Sequence, residues 1–518
     1  MPDETTAINP WLIAVSVMLA TFMEVIDTSI ASVALPHIAG SLSATTDEAT
    51  WVLTSYLVAN AIILPASGWF ALRYGRKRFL ITCIVIFTVS SFACGAATSL
   101  GMILIARAVQ GAGGGALQPL SQAILLESFP PERRGLAMAV FALGVVVAPV
   151  LGPTLGGWLT DTYSWRWAFY INIPIGALAI FMLSRFVNDP PYIKDAKVGR
   201  MDSIGFGLLA IALACLQTIL DKGQEDDWLG AVWIRWTLLA LSIALVAFLI
   251  RELTIRAPLV DLKVFLDRNF AMGCLLIALF GGVIYGVVTL LPLFYQTLLG
   301  YTAAAAGISV SPRGLGAIAV MPVIGVLTGR LDNRWLIITG FAVFGWTSIW
   351  MGNLTLDISP TSLLWPIIIS GMGTGMVFVP LATISMGTLP NEQIGNASGL
   401  FNLMRNVGGG IGISMVNTLV ARHTQIHSAE LVQNLTPGNP AFNQAFGAAR
   451  GIMLQSAPPN VASERAYGIL QGTLFQQSAA FSYVDVFRYL ALACFVCGVM
   501  VLFMKRVKPR KGGPAMAH

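Results

Sequence analysis

The chain has 518 residues, 56% of them hydrophobic and 11% charged, with a formal net charge of +6 and a mean hydropathy of +0.74. Soluble domains carry about 25% charged residues, so these figures exclude a water-soluble globular fold and predict an integral membrane protein. The positive balance does not point to nucleic acid, because Lys and Arg gather at the ends of apolar runs, where anionic lipid head groups meet them.

A helix spans hydrocarbon with roughly 20 apolar residues, and fourteen such runs follow one another. They start near Trp11, Trp51, Phe79, Gly101, Leu136, Trp167, Ser203, Val232, Phe270, Ala303, Trp335, Leu363, Gly399 and Asp485, each set off by a polar or turn-rich break. The alternating pattern of a transmembrane β-barrel is absent, so the predicted fold class is an all-α integral membrane protein. Run one follows Asp3 and Glu4 without a preceding Lys or Arg and extends to Leu35. It reads as a retained span rather than a cleavable signal peptide.

An ionisable side chain at mid-membrane costs about 2.5–3.5 kcal/mol on an insertion scale, so the few inside apolar runs are candidates for mechanism. Run one carries Glu24 and Asp27, three apart and therefore on one helix face. Two carboxyls in an apolar setting suit the loading and release of a proton; an Asp27 that merely ties helices through an Arg is the competing reading. Run four carries Arg107, either a switchable partner for a carboxylate or a permanent structural donor, and ends at Glu127, which reads as a solvated cap. The Gly111-x-Gly113 pair lies inside this run and is no dinucleotide fingerprint.

Run five holds Pro149, Gly152, Pro153, Gly156 and Gly157. Prolines bend a helix and glycines admit a close neighbour, which predicts a packed, flexible joint and a moving contact between halves of the molecule. Arg313 in run ten and Arg405 in run thirteen read as ties between helices, with a role toward anionic or polar substrates as the alternative. Residues 422–484 form a polar outward segment with apolar residues at helical spacing, predicted as amphipathic helices over the outer surface. His423 and His427 stand at i and i+4 there without the acid of His-Glu-x-x-His, and read as a solvated pair rather than a metal site. The six cysteines, at 83, 94, 215, 274, 494 and 497, all lie in apolar runs and are read as packing residues.

With the amino terminus inside, the inner loops and tail hold 21 of the 31 Lys and Arg residues, among them Arg73, Arg76, Lys77, Arg78, Lys194, Lys197, Arg200, Arg256, Lys508, Arg510 and Lys511. Outward loops before residue 422 hold little beyond Arg166, Lys222 and Arg235. The positive-inside rule then predicts both termini cytoplasmic. A shift of 260 places Gly111, Gly113 and Gly115 on Gly371, Gly373 and Gly375, and Glu132, Gly135, Ala137 and Phe141 on Glu392, Gly395, Ala397 and Phe401. A shift of 257 places Gly68 on Gly325 and Arg73 on Arg330. Runs one to six therefore repeat as nine to fourteen, with seven and eight inserted, as in secondary transporters built from parallel repeats. The predicted division is a six-helix bundle (1–186), a linker (187–202), two inserted helices (203–251), a second linker (252–269), a second bundle (270–505) and a basic tail (506–518).

Ile26-Asp27-Thr28-Ser29-Ile30, Gly68-Trp-Phe-Ala-Leu72-Arg73-Tyr-Gly75-Arg76-Lys77, Arg107-Ala-Val-Gln110-Gly111, the run-five motif and Trp165-Arg166-Trp167 through Asn172-Ile-Pro174 come in that order. This succession resembles the fourteen-span drug:proton antiporters of the major facilitator superfamily. Pro312-Arg313-Gly314, Phe401-Asn-Leu-Met-Arg405-Asn406 and the 422–484 segment are similar to the EmrB-like branch.

The resemblance implies the major facilitator fold in a six, two, six arrangement. It also implies export of hydrophobic or amphipathic compounds across a bacterial inner membrane in exchange for protons. On this reading Asp27, with Glu24, carries the proton, the coupling ion and sole cofactor, and Arg107 is their partner. Gly68, Arg73, Gly75, Arg76 and Lys77 form a cytoplasmic gate. A membrane-fusion adaptor (EmrA-like) and an outer-membrane channel are the implied partners. Leu72 stands where the family's loop motif usually has Asp, so no role of that acid carries over. The alternatives are an exporter of one metabolite, such as a siderophore or amino acid, and a receptor or scaffold without turnover. No Gly-x-x-x-x-Gly-Lys-Ser/Thr run points to ATP drive, and no nucleophile elbow points to an enzyme.

Overall fold

The computed structural model describes residues 9–506, apart from 191–192, 194–198, 200, 225, 256–257, 329, 354 and 357. Among the described residues there are helices and short 3-10 turns and no strand. Lys194, Lys197, Arg200, Arg256, Lys508, Arg510 and Lys511 lie outside them.

The first part comprises α1 (Pro10–Ser41), α2 (Thr46–Tyr74), α3 (Arg76–Gly95), α4 (Leu100–Gly114), α5 (Leu117–Ser128), α6 (Arg134–Thr162), α7 (Trp167–Tyr170) and α8 (Asn172–Phe186). Two helices follow, α9 (Ser203–Lys222) and α10 (Val232–Thr254). The last part comprises α11 (Arg268–Thr297), α12 (Ala303–Val310), α13 (Pro312–Thr328), α14 (Asn333–Met351), α15 (Pro360–Met386), α16 (Asn391–Val432), α17 (Pro440–Met453) and α18 (Pro459–Met500).

Short side chains fix several starts: Ser99 accepts from the Met102 amide at 3.3 Å, Asp267 from Phe270 at 2.9 Å, and Thr45 forms a reciprocal capping box with Glu48. Each cap satisfies a backbone donor that an α-helix leaves open at its first turn. Val89, Ile105, Phe181, Trp236 and Leu253 stand exposed on the exterior. Lipid tails accept such a surface at no cost in solvation.

Among the described residues, eleven helical stretches are long and apolar enough to cross a membrane, or twelve if α6, whose two arms meet at 42°, counts as one span. The runs predicted at Trp335 and Gly399 are helical too, as α14 and α16. Asn333, Arg334, Thr339, Thr347 and Ser348 in α14, and Asn402, Arg405, Asn406 and three successive glycines from Gly408 in α16, dilute their apolar character.

The repeat read from the sequence reappears as packing. In the first part α1 packs on α6 and α8, α2 on α4, and α3 on α4 and α8; in the last part α11 packs on α16 and α18, α13 on α15, and α14 on α15 and α18. The glycines explain why. A Cβ on Gly111 would run into the Tyr56 backbone and one on Gly371 into the Arg313 backbone, two positions that coincide under the same shift of 257 that relates Gly68 and Gly325. Gly113 meets α3 at Cys83 and Phe87, and Gly373 meets α14 at Gly340 and Phe344. Across the seam between the two parts, α2 approaches α16 where Gly68 faces Gly395 and Asn396, and α13 approaches α6 where Gly325 faces Gly135. Those two contacts exchange under the repeat.

Residues 422–484 differ from the expected surface helices. Two of the segment's three helices are unbroken continuations of α16 and α18, each 42 residues long. At 1.5 Å per residue such a helix measures roughly 63 Å, about twice the hydrocarbon thickness. The shorter α17 rests on α18 through the rings of Phe442, Phe446 and Tyr467, with Phe446 and Tyr467 centred 4.6 Å apart.

Candidate functional site

Asp27 and Arg107 are both fully buried and touch, Nη1 of the guanidinium donating to Oδ2 at 2.6 Å. The same Nη1 donates to Gln110 Oε1 at 2.7 Å and Nε donates to the Val52 carbonyl at 3.0 Å. The other carboxylate oxygen accepts from Gln110 Nε2 at 2.9 Å and from Asn172 Nδ2 at 2.6 Å. Ser91 lies behind both amides, accepting from Asn172 at 2.9 Å and donating to the Phe169 carbonyl at 2.9 Å. The Tyr56 ring covers the guanidinium, its centroid 4.2 Å from Cζ. One carboxylate thus collects donors from α4 and α8 and, through its partners, touches α2 and α3. Both Asp27 oxygens accept hydrogen bonds, whereas Arg107 Nη2 and Asn172 Oδ1 have no hydrogen-bond partner among the described residues.

Glu24 shares the helix face but not the cluster. Its Oε1 accepts from Asn60 Nδ2 at 3.0 Å, while its buried Oε2 has no hydrogen-bond partner among the described residues. The Gln118 amide and the Arg405 guanidinium face this carboxyl, and Arg405 Nη2 donates to Gln118 Oε1. Beside them Gln122 Oε1 accepts from Ser398 Oγ and Asn402 Nδ2, each at 2.7 Å. Glu24 therefore lies at the seam, linked through α5 to α16. The two carboxyls predicted as neighbours serve two centres, one inside the first part and one between the parts.

Arg405 of α16 bonds Gln118 of α5, whereas Arg313 is buried and none of its three guanidinium nitrogens has a hydrogen-bond partner among the described residues.

At the basic end, Arg76 is buried and grips Glu127 with two hydrogen bonds, Nη2 to Oε1 at 2.9 Å among them. The solvated cap expected at Glu127 is thereby corrected: the acid lies within reach because α5 ends against the first turn of α3. Gly75 joins α2 to α3 with φ +87°, a backbone that favours glycine. Asp189, just after α8, accepts from the Lys77 amide at 2.8 Å, and Lys77 Nζ reaches the Ser184 carbonyl at 2.6 Å. With Leu72 in place of the motif's acid, Glu127 and Asp189 supply the negative charge for this corner. Gly68 and Arg73 lie in the last two turns of α2, Gly68 against α16.

The run-five glycines face inward. Gly152 abuts Ser29, whose hydroxyl donates to the Pro149 carbonyl at 3.1 Å, and a Cβ on Gly156 would come within 3.1 Å of Ile30. Their partner is α1, two and three residues past Asp27, and not the other half of the molecule; a Cβ on Gly157 would meet nothing. The side chain of Pro153 lies outside the described residues. Across the seam α6 meets α13 at Gly135, near its other end, and its Phe141 stacks on Phe378 of α15.

The polar residues completing these centres, Asn60, Ser91, Gln110, Gln118, Gln122, Asn172 and Asn402, received no role from the sequence. Their signal is an uncharged amide or hydroxyl within an apolar run, far commoner than a charge and so less selective.

A model of the Major Facilitator Superfamily matches residues 17–413. The chain belongs to this superfamily. Within the superfamily it is 38% identical over 439 residues to the multidrug export protein EmrB of Haemophilus influenzae, covering 84% of this chain and 85% of that one. It is 34% identical over 510 residues to EmrB of Escherichia coli, covering 98% of each, and 36% identical over 479 residues to the fatty acid resistance protein FarB of Neisseria gonorrhoeae, covering 92% of each. The structure of the human organic anion transporter MFSD10 superposes with a TM-score of 0.59 at 13% identity, covering 94% of this chain and 99% of that one. A bacterial homologue of the lysosomal transporter Spinster gives 0.54 at 16%, covering 99% and 100%. These two likenesses show the major facilitator fold. The family expected from the motifs is the family found, and the chain is a multi-pass membrane transporter rather than an enzyme.

Proposed function

We propose that the protein exports hydrophobic or amphipathic drugs across a bacterial inner membrane in exchange for protons, by alternating access. The observation that carries this reading is the division of labour between the two buried carboxyls, in a chain aligned almost end to end with multidrug export proteins. Glu24 keeps one oxygen free at the seam, where a proton can be added without breaking a hydrogen bond. Asp27 holds Arg107, so a proton arriving there cancels the charge that fixes the guanidinium and frees α1, α4 and α8 to shift. Export follows if substrate and proton favour opposite arrangements of the same helices. The fourteen crossings divide as six, two and six with the boundaries given above, both termini are cytoplasmic, and Arg73, Arg76 and Lys77 with Gly68 and Gly75 form the inner gate.

A second observation favours an amphipathic substrate with a polar or anionic end. Arg313 is a buried cation with no hydrogen-bond partner among the described residues, and the relative FarB is named for fatty acid resistance. The long extensions of α16 and α18, beyond the seam, are where a membrane-fusion adaptor, and through it an outer-membrane channel, would dock.

The test is transport in proteoliposomes with an imposed pH gradient. Adding a substrate dye should collapse the gradient in step with dye movement. Dye movement that leaves the gradient intact removes proton coupling; no movement of any compound tried removes the exporter.

A further inference from the structure

His423 and His427 project from one face of α16 toward Asp485 of α18. His427 Nε2 lies 2.8 Å and His423 Nδ1 3.3 Å from the same oxygen, Asp485 Oδ2. The three ligand atoms all lie within 4.8 Å of one another, and the side chains are 20–25% exposed. A pair read from the sequence as solvated is therefore a convergent cluster, whose missing acid comes from a helix some 60 residues downstream. We propose that it is a site for a divalent transition-metal ion of the zinc type.

The donor set is two imidazole nitrogens and one carboxylate oxygen, which suits zinc-like ions and not the oxygen-seeking calcium or magnesium. Zinc binds such atoms at about 2.0–2.2 Å, so ligand atoms around one tetrahedral ion stand roughly 3.3–3.5 Å apart. The His423 separation of 3.3 Å lies in that range, and the His427 separation of 2.8 Å, a hydrogen-bond distance, would open by roughly 0.5 Å on binding. The surroundings agree. Glu430 Oε2 sits 3.6 Å from His427 Nδ1, the ring nitrogen that faces away from the cluster. At that separation, beyond a hydrogen bond, the carboxylate favours the positive charge that a bound ion brings. Arg488 approaches the far oxygen of Asp485, Oδ1, at 4.0 Å, leaving Oδ2 to the histidines. Phe481 and Tyr489 stand against the two imidazoles at 5.8 and 5.5 Å between ring centres. A bound ion would clamp α16 to α18 at the root of their long extensions and hold the hairpin in one orientation.

The experiment uses the full-length protein in detergent, purified without a histidine tag, stripped with chelator and titrated with Co²⁺ and then Zn²⁺ at neutral pH. The expected result is one equivalent of Co²⁺ with a visible d–d absorption, displaced by Zn²⁺, and a Tm that rises with Zn²⁺. Both should vanish in the His423→Gln/His427→Gln variant. Asp485→Asn, which keeps the volume and a hydrogen-bonding carbonyl, tests the cluster from the other helix should the double variant fail to fold. Glu430→Gln, beside the cluster, should weaken affinity by less than either cluster variant does, whereas His37→Gln, at the separate His37–Asp161 contact, should leave it unchanged. No Co²⁺ spectrum in the unaltered protein, or a bound equivalent that persists in the cluster variants, overturns the proposal and leaves a hydrogen-bonded clip between two helices.

Discussion

At Asp27 and Arg107 burial and pairing fix one another. Two ions removed from water are tolerated because each satisfies the other and the neighbouring amides fill the remaining lone pairs. Asp27→Asn therefore does more than remove the proposed proton carrier. It leaves a guanidinium buried without its counter-ion, a loss of about 3–5 kcal/mol for a broken buried pair. Asp27→Asn should lower the Tm in detergent, and adding Arg107→Leu should restore much of it; a double variant as unstable as the sum of its parts would show that the two residues act independently. Glu24→Gln, by contrast, keeps the Asn60 contact, and Arg405, which faces Glu24, keeps its bond to Gln118, so the fold should hold while the pH dependence of transport weakens. The charges were legible in the sequence because each one inside an apolar run demands a reason. Their partners were not: Gln110 and Asn172 acquire meaning only when α4 and α8 bring them to one carboxylate, and helical spacing cannot tell Glu24 and Asp27 apart when each looks toward a different neighbour.

Among elements, the glycines decide which helices touch. Gly135 and Gly325 bring α6 and α13 to backbone contact, and a Cβ on either would collide with the other's helix. Gly135→Leu and Gly325→Leu should each open this end of the seam, at a cost of about 1–3 kcal/mol for overpacking, and should reduce disulfide cross-linking between cysteines placed on α6 and α13. Gly395→Ala is the control, because its Cβ meets only the tip of Arg76, at 3.7 Å.

The inserted pair is tied by Arg251 to Asp202, Nη2 to Oδ1 at 2.7 Å, and this arginine holds the Asp202 carboxyl below its ordinary value of 3.8. A lowered folded-state value gives stability that is present above the ordinary value and lost as pH falls through the folded one. Protease access to the segment before α9 should thus rise as pH falls below about 4; no rise there would assign the tie to other groups. Apolar runs and caps gave away where helices lie, but the sequence said little of α16 and α18 beyond the membrane, because a polar stretch of helix has the composition of a loop.

For the whole molecule, the internal repeat links sequence to mechanism. Helix pairs recur between the two parts, and the seam contacts Gly68 to Gly395 and Gly325 to Gly135 exchange under the same shifts that relate the sequences. Two similar bundles meeting across such a seam can swap which end is closed with little change inside either one, the rigid-body motion that alternating access requires. On the proposed function, Glu24 at the seam and Asp27 within the first bundle make that exchange depend on protons. The most direct test is proton release when a substrate is added to the detergent-solubilised protein in weakly buffered solution. The account predicts release from the unaltered chain, less from Glu24→Gln, and none from the Glu24→Gln/Asp27→Asn variant while substrate still binds. Undiminished release from that double variant would contradict it.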